Sequence, residues 1–161
     1  MDMVTLRRAV KADVDAICAV IASSLRLLGV QEAWTAEQLD DMVSGHASRD
    51  DALRLMERHV WLAAWLDGRL VGVASVFRDE LAKLFVHPEH HRHGIGTALF
   101  LAAEQCVRDS GFGQVKTRCF PASRPFYEAM GMAVVGREPC RTPAFADREV
   151  FVMAKSLLAD G

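Results

Sequence analysis

The sequence has no long hydrophobic run, and this absence argues against several classes of protein. No apolar stretch approaches the roughly 20 residues that cross a bilayer, and the longest, residues 60–66, has the length of a core strand. The first residues, MDMVTLRR, include an acidic side chain and lack the apolar core, about seven or more residues long, of a secretory signal. We therefore expect a cytoplasmic protein with no membrane partner.

Cysteine pairs and excess charge are also missing. The four cysteines are widely spaced and form no Cys-x-x-Cys pair, so free thiols are expected rather than a redox pair or a zinc site. The 19 basic and 21 acidic side chains give a formal charge of −2, with no long stripe of either sign. Because nucleic-acid-binding domains concentrate basic residues on one face, no nucleic-acid partner is expected.

The first third of the chain has helical periodicity. A strand near Val4 precedes a long amphipathic helix, for which Gly29 is the predicted C-cap. Thr35 and Gln38 have the spacing of a capping box and predict the start of a second helix. A short third helix is predicted over about residues 48–58.

The rest of the chain alternates strands with two helices. Two apolar runs flank Asp67-Gly68, a pairing typical of a tight hairpin turn. The following elements are predicted as a strand over 79–86, a helix over 94–110, a strand over 114–120, a short helix over 123–130, and strands over 132–138 and 148–157. The predicted order, β-α-α-β-β-β-α-β-α-β-β with the short third helix before the second strand, indicates one α+β domain over residues 1–161.

The segment LFVHPEHHRHGIGTALF, residues 84–100, has the pattern of an anion-binding turn. A strand runs into a glycine-containing turn that opens a helix. The first N–H groups of a helix lack intrahelical partners, and the helix dipole adds about half a positive charge there. We therefore expect a pyrophosphate on the N–H groups from His93 to Thr97.

Two other glycine-loop families do not fit this segment. A dinucleotide-binding fingerprint requires a third glycine, where this chain has Leu99, and it requires a βαβ unit rather than three strands in hairpin order. A phosphate-binding Walker A loop requires Gly-Lys-Ser or Gly-Lys-Thr, which the sequence does not contain.

The segment instead resembles the acetyl-CoA loop of the GNAT superfamily, a Q/R-x-x-G-x-G/A run after a strand that ends in V-x-P. Residues 86–88 match the strand end and residues 91–96 the loop, with His91 at the Gln/Arg position. The family's F-Y-x-x-x-G-F motif resembles residues 126–132, FYEAMGM. An opening R-x-A-x-x-x-D run, the DGRLVGVA hairpin and a closing MAKSL extend the resemblance over nearly the whole chain.

This resemblance implies a mixed, mostly antiparallel central sheet flanked by helices. It implies an N-acetyltransferase that moves an acetyl group from acetyl-CoA, as co-substrate, to a primary amine on a small molecule or a peptide by direct attack. No metal is implied, and a monomer or homodimer is expected. The cofactor-binding residues it predicts are Leu84, Phe85, Val86, His91, Arg92, His93, Gly94, Ile95, Gly96 and Thr97.

The resemblance also suggests the catalytic residues. Tyr127, the chain's one tyrosine, occupies the family position whose hydroxyl faces the thioester sulfur, so it is the predicted general acid. The alternative is a tyrosine whose ring packs and whose hydroxyl meets water. Counting back from the loop without a gap places Glu80 where some members keep a glutamate base. Asp79, His87, Glu32 and a water chain remain alternative bases.

Two further groups have both a functional and a structural interpretation. Glu32 and Trp34 are predicted to bind a cationic acceptor by charge and cation–π contact, and Trp34 could instead simply pack between the two helices. The loop's histidines, His87, His90, His91 and His93 with Glu89, contain metal-binding side chain types. Their spacing matches no closed zinc site, so no metal is predicted.

Two other functions fit the same motifs. A GNAT-like module could bind acyl-CoA as a sensor without turnover, although the intact tyrosine and glycine loop favour catalysis. A toxin-type acetyltransferase acting on charged tRNA would require a basic face, which the sequence does not suggest.

Overall fold

The computed structural model describes residues 3–91 and 93–158, in one seven-stranded sheet with the order β1-β2-β3-β4-β5-β7-β6. The strands are β1 (Val4–Arg8), β2 (Val60–Leu66), β3 (Arg69–Phe77), β4 (Glu80–Val86), β5 (Gln114–Cys119), β6 (Ala133–Pro139) and β7 (Glu149–Ser156). The helices are α1 (Val14–Gln31), α2 (Ala36–His46), α3 (Arg49–Met56), α4 (Ile95–Asp109) and α5 (Arg124–Ala129). None of the helices in the described ranges combines the length and the hydropathy that a membrane span requires.

The predicted fold class, a mostly antiparallel sheet flanked by helices, is confirmed. Neighbouring strands in the described part of the chain pair antiparallel except β4 and β5, which are parallel. One apolar cluster packs α4 and Tyr127 against one face of the sheet. A second cluster packs α1 and α2 against the other face. The core therefore has two layers, with β2 and β3 buried between them.

Local signals in the sequence correctly predicted one hairpin turn and the start of one helix. Asp67 and Gly68, at φ of 50° and 76°, both adopt the left-handed conformation that a tight hairpin requires. At the start of α2, the Gln38 N–H donates to the Thr35 hydroxyl oxygen at 3.1 Å and the Thr35 N–H donates to the Gln38 side chain at 3.0 Å. The capping box is therefore present as predicted.

The predicted C-cap of the first helix is wrong. Helix α1 continues through Gly29 to Gln31, and Ala33, at φ of 55°, provides the left-handed residue beyond its end. A Cβ atom on Gly29 would lie 3.1 Å from Cε3 of Trp34, closer than most such contacts. Glycine at this position therefore allows the indole to pack on the helix.

The turn between α1 and α2 is tied to the segment between β6 and β7. The Arg148 guanidinium donates to the carbonyl oxygens of Glu32 at 2.8 Å and Ala33 at 3.1 Å. The Gln38 amide donates to the Ala144 carbonyl oxygen at 2.9 Å. Beneath these bonds, the rings of Trp34, Phe120 and Phe145 pack edge to face or tilted with centroids 5.0 to 5.7 Å apart. This aromatic cluster fixes two loops that flank the middle of the sheet.

Strands β4 and β5 separate soon after they meet. Their register contains the pair Glu80 and Lys116, and the Thr117 hydroxyl donates to the Leu81 carbonyl oxygen at 2.8 Å. The register between β3 and β4 then shifts so that Ala82 is left without a partner residue, as in a β-bulge. Past this point, a gap opens between β4 and β5 in the centre of the sheet.

Candidate functional site

Two cavities meet at the gap between β4 and β5. The first, of about 510 Å³, lies between α1, β4, the start of α4 and α5, and we call it the glycine-loop cleft. The second, of about 400 Å³, lies between α1, α2, β4, β5 and residues 138–142, and we call it the β5 cavity. Both are lined by Leu28, Leu84, Phe85, Ser123 and Tyr127. A molecule in the cleft can therefore meet a molecule in the cavity.

Strand β4 offers backbone groups to this gap. The His87 N–H donates to the Val71 carbonyl oxygen at 2.8 Å, which fixes the hydrogen-bonding phase of the β3–β4 ladder. Along a strand of an antiparallel ladder, residues whose N–H and C=O bond the neighbouring strand alternate with residues whose N–H and C=O point away from it. Phe85 therefore directs its N–H and C=O to β3, whereas Leu84 and Val86 direct theirs to the gap.

The start of α4 points three amides at the glycine-loop cleft. Gly94 is the N-cap at φ of 77°, and the first intrahelical bond runs from the Ala98 N–H to the Gly94 carbonyl oxygen at 3.0 Å. The N–H groups of Ile95, Gly96 and Thr97 precede that bond and so lack an intrahelical acceptor. This arrangement is suited to binding an anion.

The predicted cofactor residues divide into three groups. Those that line the glycine-loop cleft are Leu84, Phe85, Val86, His91, Gly94, Gly96 and Thr97. His91 Nε2 also lies 3.0 Å from the Val86 carbonyl oxygen, so the ring braces the loop against β4. Ile95 buries its side chain in the core and contributes only its backbone, and His93 is exposed at the turn. Arg92 lies outside the described residues.

Residues 26–132 match the sequence model of the acetyltransferase (GNAT) family, which covers more than half of the chain. The chain belongs to the GNAT acetyltransferase family. The predicted membership is therefore confirmed, and with it assignment to the acetyltransferases.

Solved GNAT structures share this fold. A GCN5-related N-acetyltransferase from Rhodopseudomonas palustris superposes with a TM-score of 0.86 at 22% identity, covering 95% of both chains. The PaiA N-acetyltransferase of Thermoplasma acidophilum, solved in complex with coenzyme A, gives 0.79 at 20% identity, covering 96% of this chain and 99% of its own. YncA of Salmonella typhimurium, solved with acetyl-CoA, gives 0.67 at 20% identity, covering 99% and 96%. At these identities the likeness concerns the fold.

Tyr127 of this GNAT protein lies where the two cavities join. The residue is 7% exposed, and its ring packs edge to face on Phe126 at 5.1 Å and tilted on Phe100 at 6.3 Å. Burial raises the pKa of the Tyr127 hydroxyl above its ordinary value. A side-chain hydrogen bond with Thr117 acts in the opposite direction, and the hydroxyl keeps its proton throughout the neutral pH range.

Glu80 lines the β5 cavity, but it is held by an arginine. The Arg118 guanidinium donates to Glu80 at 2.7 Å through Nη1 and to Glu138 at 2.7 Å through Nε. The hydrogen bond to Glu138, opposed by desolvation and aided by the charge of Glu80, raises the pKa of Arg118. Glu80 therefore shares one guanidinium with a second carboxylate.

A buried charged group forms another wall of the β5 cavity. The Lys83 ammonium lies 3.2 Å from a carboxylate oxygen of Asp51, and 3.4 Å from both the carbonyl oxygen and Nδ1 of His46. Burial lowers the pKa of Lys83, and Asp51 offsets part of this effect. Burial, followed by the charge of Lys83, lowers the pKa of His46, so its ring is neutral at pH 7.

Sequence reasoning missed His46, Lys83, Arg118 and Glu138 as residues of the site. A lysine inside the apolar run ELAKLFV was the available signal for Lys83, because a buried ammonium requires a partner. The other three come from α2, β5 and β6, and nothing local in the sequence indicates that they face one cavity.

In the part of the chain that the structure describes, neither Glu32 nor Trp34 lines either cavity. Trp34 packs in the aromatic cluster with Phe120 and Phe145. The Glu32 carboxylate accepts from the Ala122 N–H at 2.6 Å, which holds the turn before α5. Both positions favour a structural role, and we leave these residues out of the proposed acceptor site.

The alternative bases are also engaged elsewhere. Asp79 lies 3.7 Å from the Lys116 ammonium, at the closed end of the gap. His87 accepts from the Glu89 N–H at 3.2 Å and lies past the other end of β4. Neither residue is part of the β5 cavity lining, so Glu80 is the best-placed of the predicted carboxylates and histidines.

A group that could hold a metal ion lies beside the loop. The ligand atoms of His87, Glu89 and His90 are all within 4.8 Å of one another. One nitrogen of His87 already accepts a backbone hydrogen bond, and Glu89 is exposed. The absence of a functional metal stays a prediction.

Substitutions at Gly96 test the cleft as an anion site. A Cβ atom there would lie 3.3 Å from the Phe126 ring and 3.7 Å from Val86, so a leucine side chain would fill the cleft. We expect Gly96→Leu to weaken coenzyme A binding at least tenfold, about 1.4 kcal/mol, with Gly96→Ala intermediate. The control is Gly45→Leu, a helical glycine with open space around it. Calorimetry that finds equal affinity for Gly96→Leu and wild type would remove the loop from the binding site.

Proposed function

We propose that this protein is an acetyl-CoA-dependent N-acetyltransferase that acetylates a primary amine, on a small molecule or a peptide, by direct attack on the thioester. The observation that carries the proposal is the connection between the glycine-loop cleft and the β5 cavity, with Tyr127 lining both. Two substrates can approach from opposite sides and meet at one buried hydroxyl. A sensor of acyl-CoA would need the cleft but not the second cavity.

In this proposal, acetyl-CoA is the co-substrate of the glycine-loop cleft. The amides of Ile95, Gly96 and Thr97 bind its pyrophosphate. The gap-facing N–H and C=O of Leu84 and the N–H of Val86 pair with the amide-containing pantetheine arm, as another strand would, while the Val86 carbonyl oxygen is engaged by His91. The neighbours solved with coenzyme A and acetyl-CoA support this choice of ligand.

Tyr127 assists the departure of the thiolate. The pKa of a thiol is about 8.5, well below the pKa of a buried phenol. Complete proton transfer from Tyr127 to sulfur is therefore unfavourable at first. Its hydroxyl instead donates a hydrogen bond that strengthens as negative charge develops on sulfur. Tyr127 gives its proton to sulfur as the amine gives its own to Glu80, and water then carries a proton from Glu80 back to Tyr127, so that the net change is one proton moved from nitrogen to sulfur.

Glu80 accepts the proton of the attacking amine, directly or through a water molecule. It accepts a hydrogen bond from Arg118 and lines the cavity from which the amine arrives. Because Arg118 already occupies one oxygen of Glu80, relay of the proton through a water molecule is favoured over direct contact with the amine. Cytoplasmic location and a monomeric or homodimeric state remain predictions from the sequence.

The decisive experiment for the function is a thiol-release assay with acetyl-CoA and a panel of amines. The panel contains amino acids, polyamines, aminoglycosides and peptides with free N-termini, and acetyl-CoA alone measures background hydrolysis. We expect at least one acceptor to release coenzyme A well above that background. Tight binding of acetyl-CoA with no acceptor-dependent release would favour a sensor instead.

Tyr127→Phe tests the hydroxyl. Since its hydrogen bond is strongest in the transition state, we expect kcat to fall roughly 10²- to 10⁴-fold while acetyl-CoA affinity stays nearly unchanged. Steady-state kinetics and calorimetry measure the two effects, and thermal unfolding controls for loss of the fold. A variant with full kcat on a good acceptor would assign the proton source to water.

Glu80→Gln tests the base, with Glu138→Gln as a matched control. Both carboxylates line the β5 cavity and both accept from Arg118, so the control reproduces the loss of an ion pair. We expect Glu80→Gln to depress kcat/KM most at low pH, where the acceptor is an ammonium and most needs deprotonation. The Glu138→Gln profile should keep the wild-type shape. Superimposable profiles for Glu80→Gln and wild type would leave a water chain as the base.

A further inference from the structure

We infer that the acceptor is a small amine that carries a carboxylate, such as an amino acid, and that Arg141 binds this carboxylate in the β5 cavity. The inference rests on the proposed function and names its substrate class. The charged residues that line the cavity are Glu80, Lys83, Arg118, Glu138 and Arg141. The hydrogen bonds that these side chains already make determine whether an incoming anion or an incoming cation finds a free partner in the cavity.

Both carboxylates of the cavity already accept hydrogen bonds, and both bonds come from the one guanidinium of Arg118. Arg118 bonds Glu80 and Glu138 at 2.7 Å each. The hydrogen bond from Arg118 lowers the pKa of Glu138, and the charge of Arg141 adds to the effect. A polycationic acceptor, such as a polyamine, would have to compete with a bound guanidinium for both acids. The lining as a whole has three cationic side chains against two carboxylates, so the cavity does not favour extra positive charge.

The cationic side chains of the cavity differ in how many of their donors are already hydrogen-bonded. Lys83 has acceptors for all three of its ammonium protons, on Asp51 and His46. Arg118 uses Nε and Nη1 on its two carboxylates. Arg141 is an exposed residue of the lining, and within residues 3–91 and 93–158 its side chain forms no hydrogen bond or ion pair. Its planar donors suit bidentate binding of a carboxylate.

The dimensions of the cavity favour a small acceptor. At about 400 Å³, it lies in the lower part of the range typical of small-molecule sites. One flank is formed by α2 through Met42 and His46, and the opposite flank by Cys140 to Thr142. Arg148 and Gln38 tie the adjoining loops together, so these loops do not part freely to admit a long chain.

Matched acceptors test the inference. For several side chains, the amino acid, its amide and the amine without the carboxyl group are compared by kcat/KM per concentration of neutral amine, since amidation changes the amine's own pKa. We expect the carboxylate form to be preferred at least tenfold. Arg141→Gln should remove most of this preference by raising KM with little change in kcat, and Arg141→Lys should retain part of it.

The control variant is Arg137→Gln. Arg137 lies on the same strand as Glu138, but it is exposed, packs over Phe151 at 5.4 Å and does not line the cavity. Arg137→Gln should leave the preference for the carboxylate form of the acceptor unchanged. Equal or better acetylation of amides or diamines, or a preference that survives Arg141→Gln, would overturn the inference.

A second measurement separates this inference from the proposed function. Binding of an N-acetylated amino acid and of its amide is compared by calorimetry, with and without coenzyme A, which requires no turnover. Tighter binding of the carboxylate that is lost in Arg141→Gln supports the inference. Equal binding contradicts it even if amines are acetylated, whereas failure of every amine in the assay contradicts the proposed function alone.

Discussion

Strands β4 and β5 pair at Glu80 and Lys116 and then separate, and the other features of the site follow from that separation. A gap in the centre of a sheet leaves backbone N–H and C=O groups without their usual partners. Buried in that state, each would cost about 1 to 3 kcal/mol. The gap is therefore stable only if it opens to water or to a ligand with amides of its own. Here it opens on both faces, which gives the sheet two connected cavities.

Keeping this gap open requires rigid walls. On one face, Tyr127 and Phe126 of α5 pack on Phe100 of α4, so the start of α4 is held beside the end of β4. On the other face, the cluster of Trp34, Phe120 and Phe145 supports the loops flanking α1 and β7. Both walls depend on aromatic rings rather than on backbone pairing. They can therefore hold the strands apart without bridging them.

The sequence predicted what is determined locally and failed where distant segments meet. Asp67-Gly68 and the capping box of Thr35 and Gln38 need only their own neighbours, so their geometry followed from residue type. Gly29 was misassigned because its role is contact with Trp34, five residues on, and not helix termination. Arg118 and Glu138 lie 20 residues apart on strands separated by β7, so their pairing depends on a sheet order that no local pattern specifies.

Arg118 also connects the proposed base with the inferred binding site of the acceptor carboxylate. Its guanidinium holds Glu80, the proposed base, and lies in the cavity where the inferred acceptor carboxylate would bind. A carboxylate that reaches Arg141 enters the field of Arg118 as well, and it competes there with Glu80 for positive charge. That competition would weaken the hydrogen bond between Arg118 and Glu80 while the acceptor is bound. A cationic acceptor would instead compete with Arg118 for Glu80 itself. In this arrangement the charge of the acceptor therefore determines how firmly Arg118 holds the proposed base.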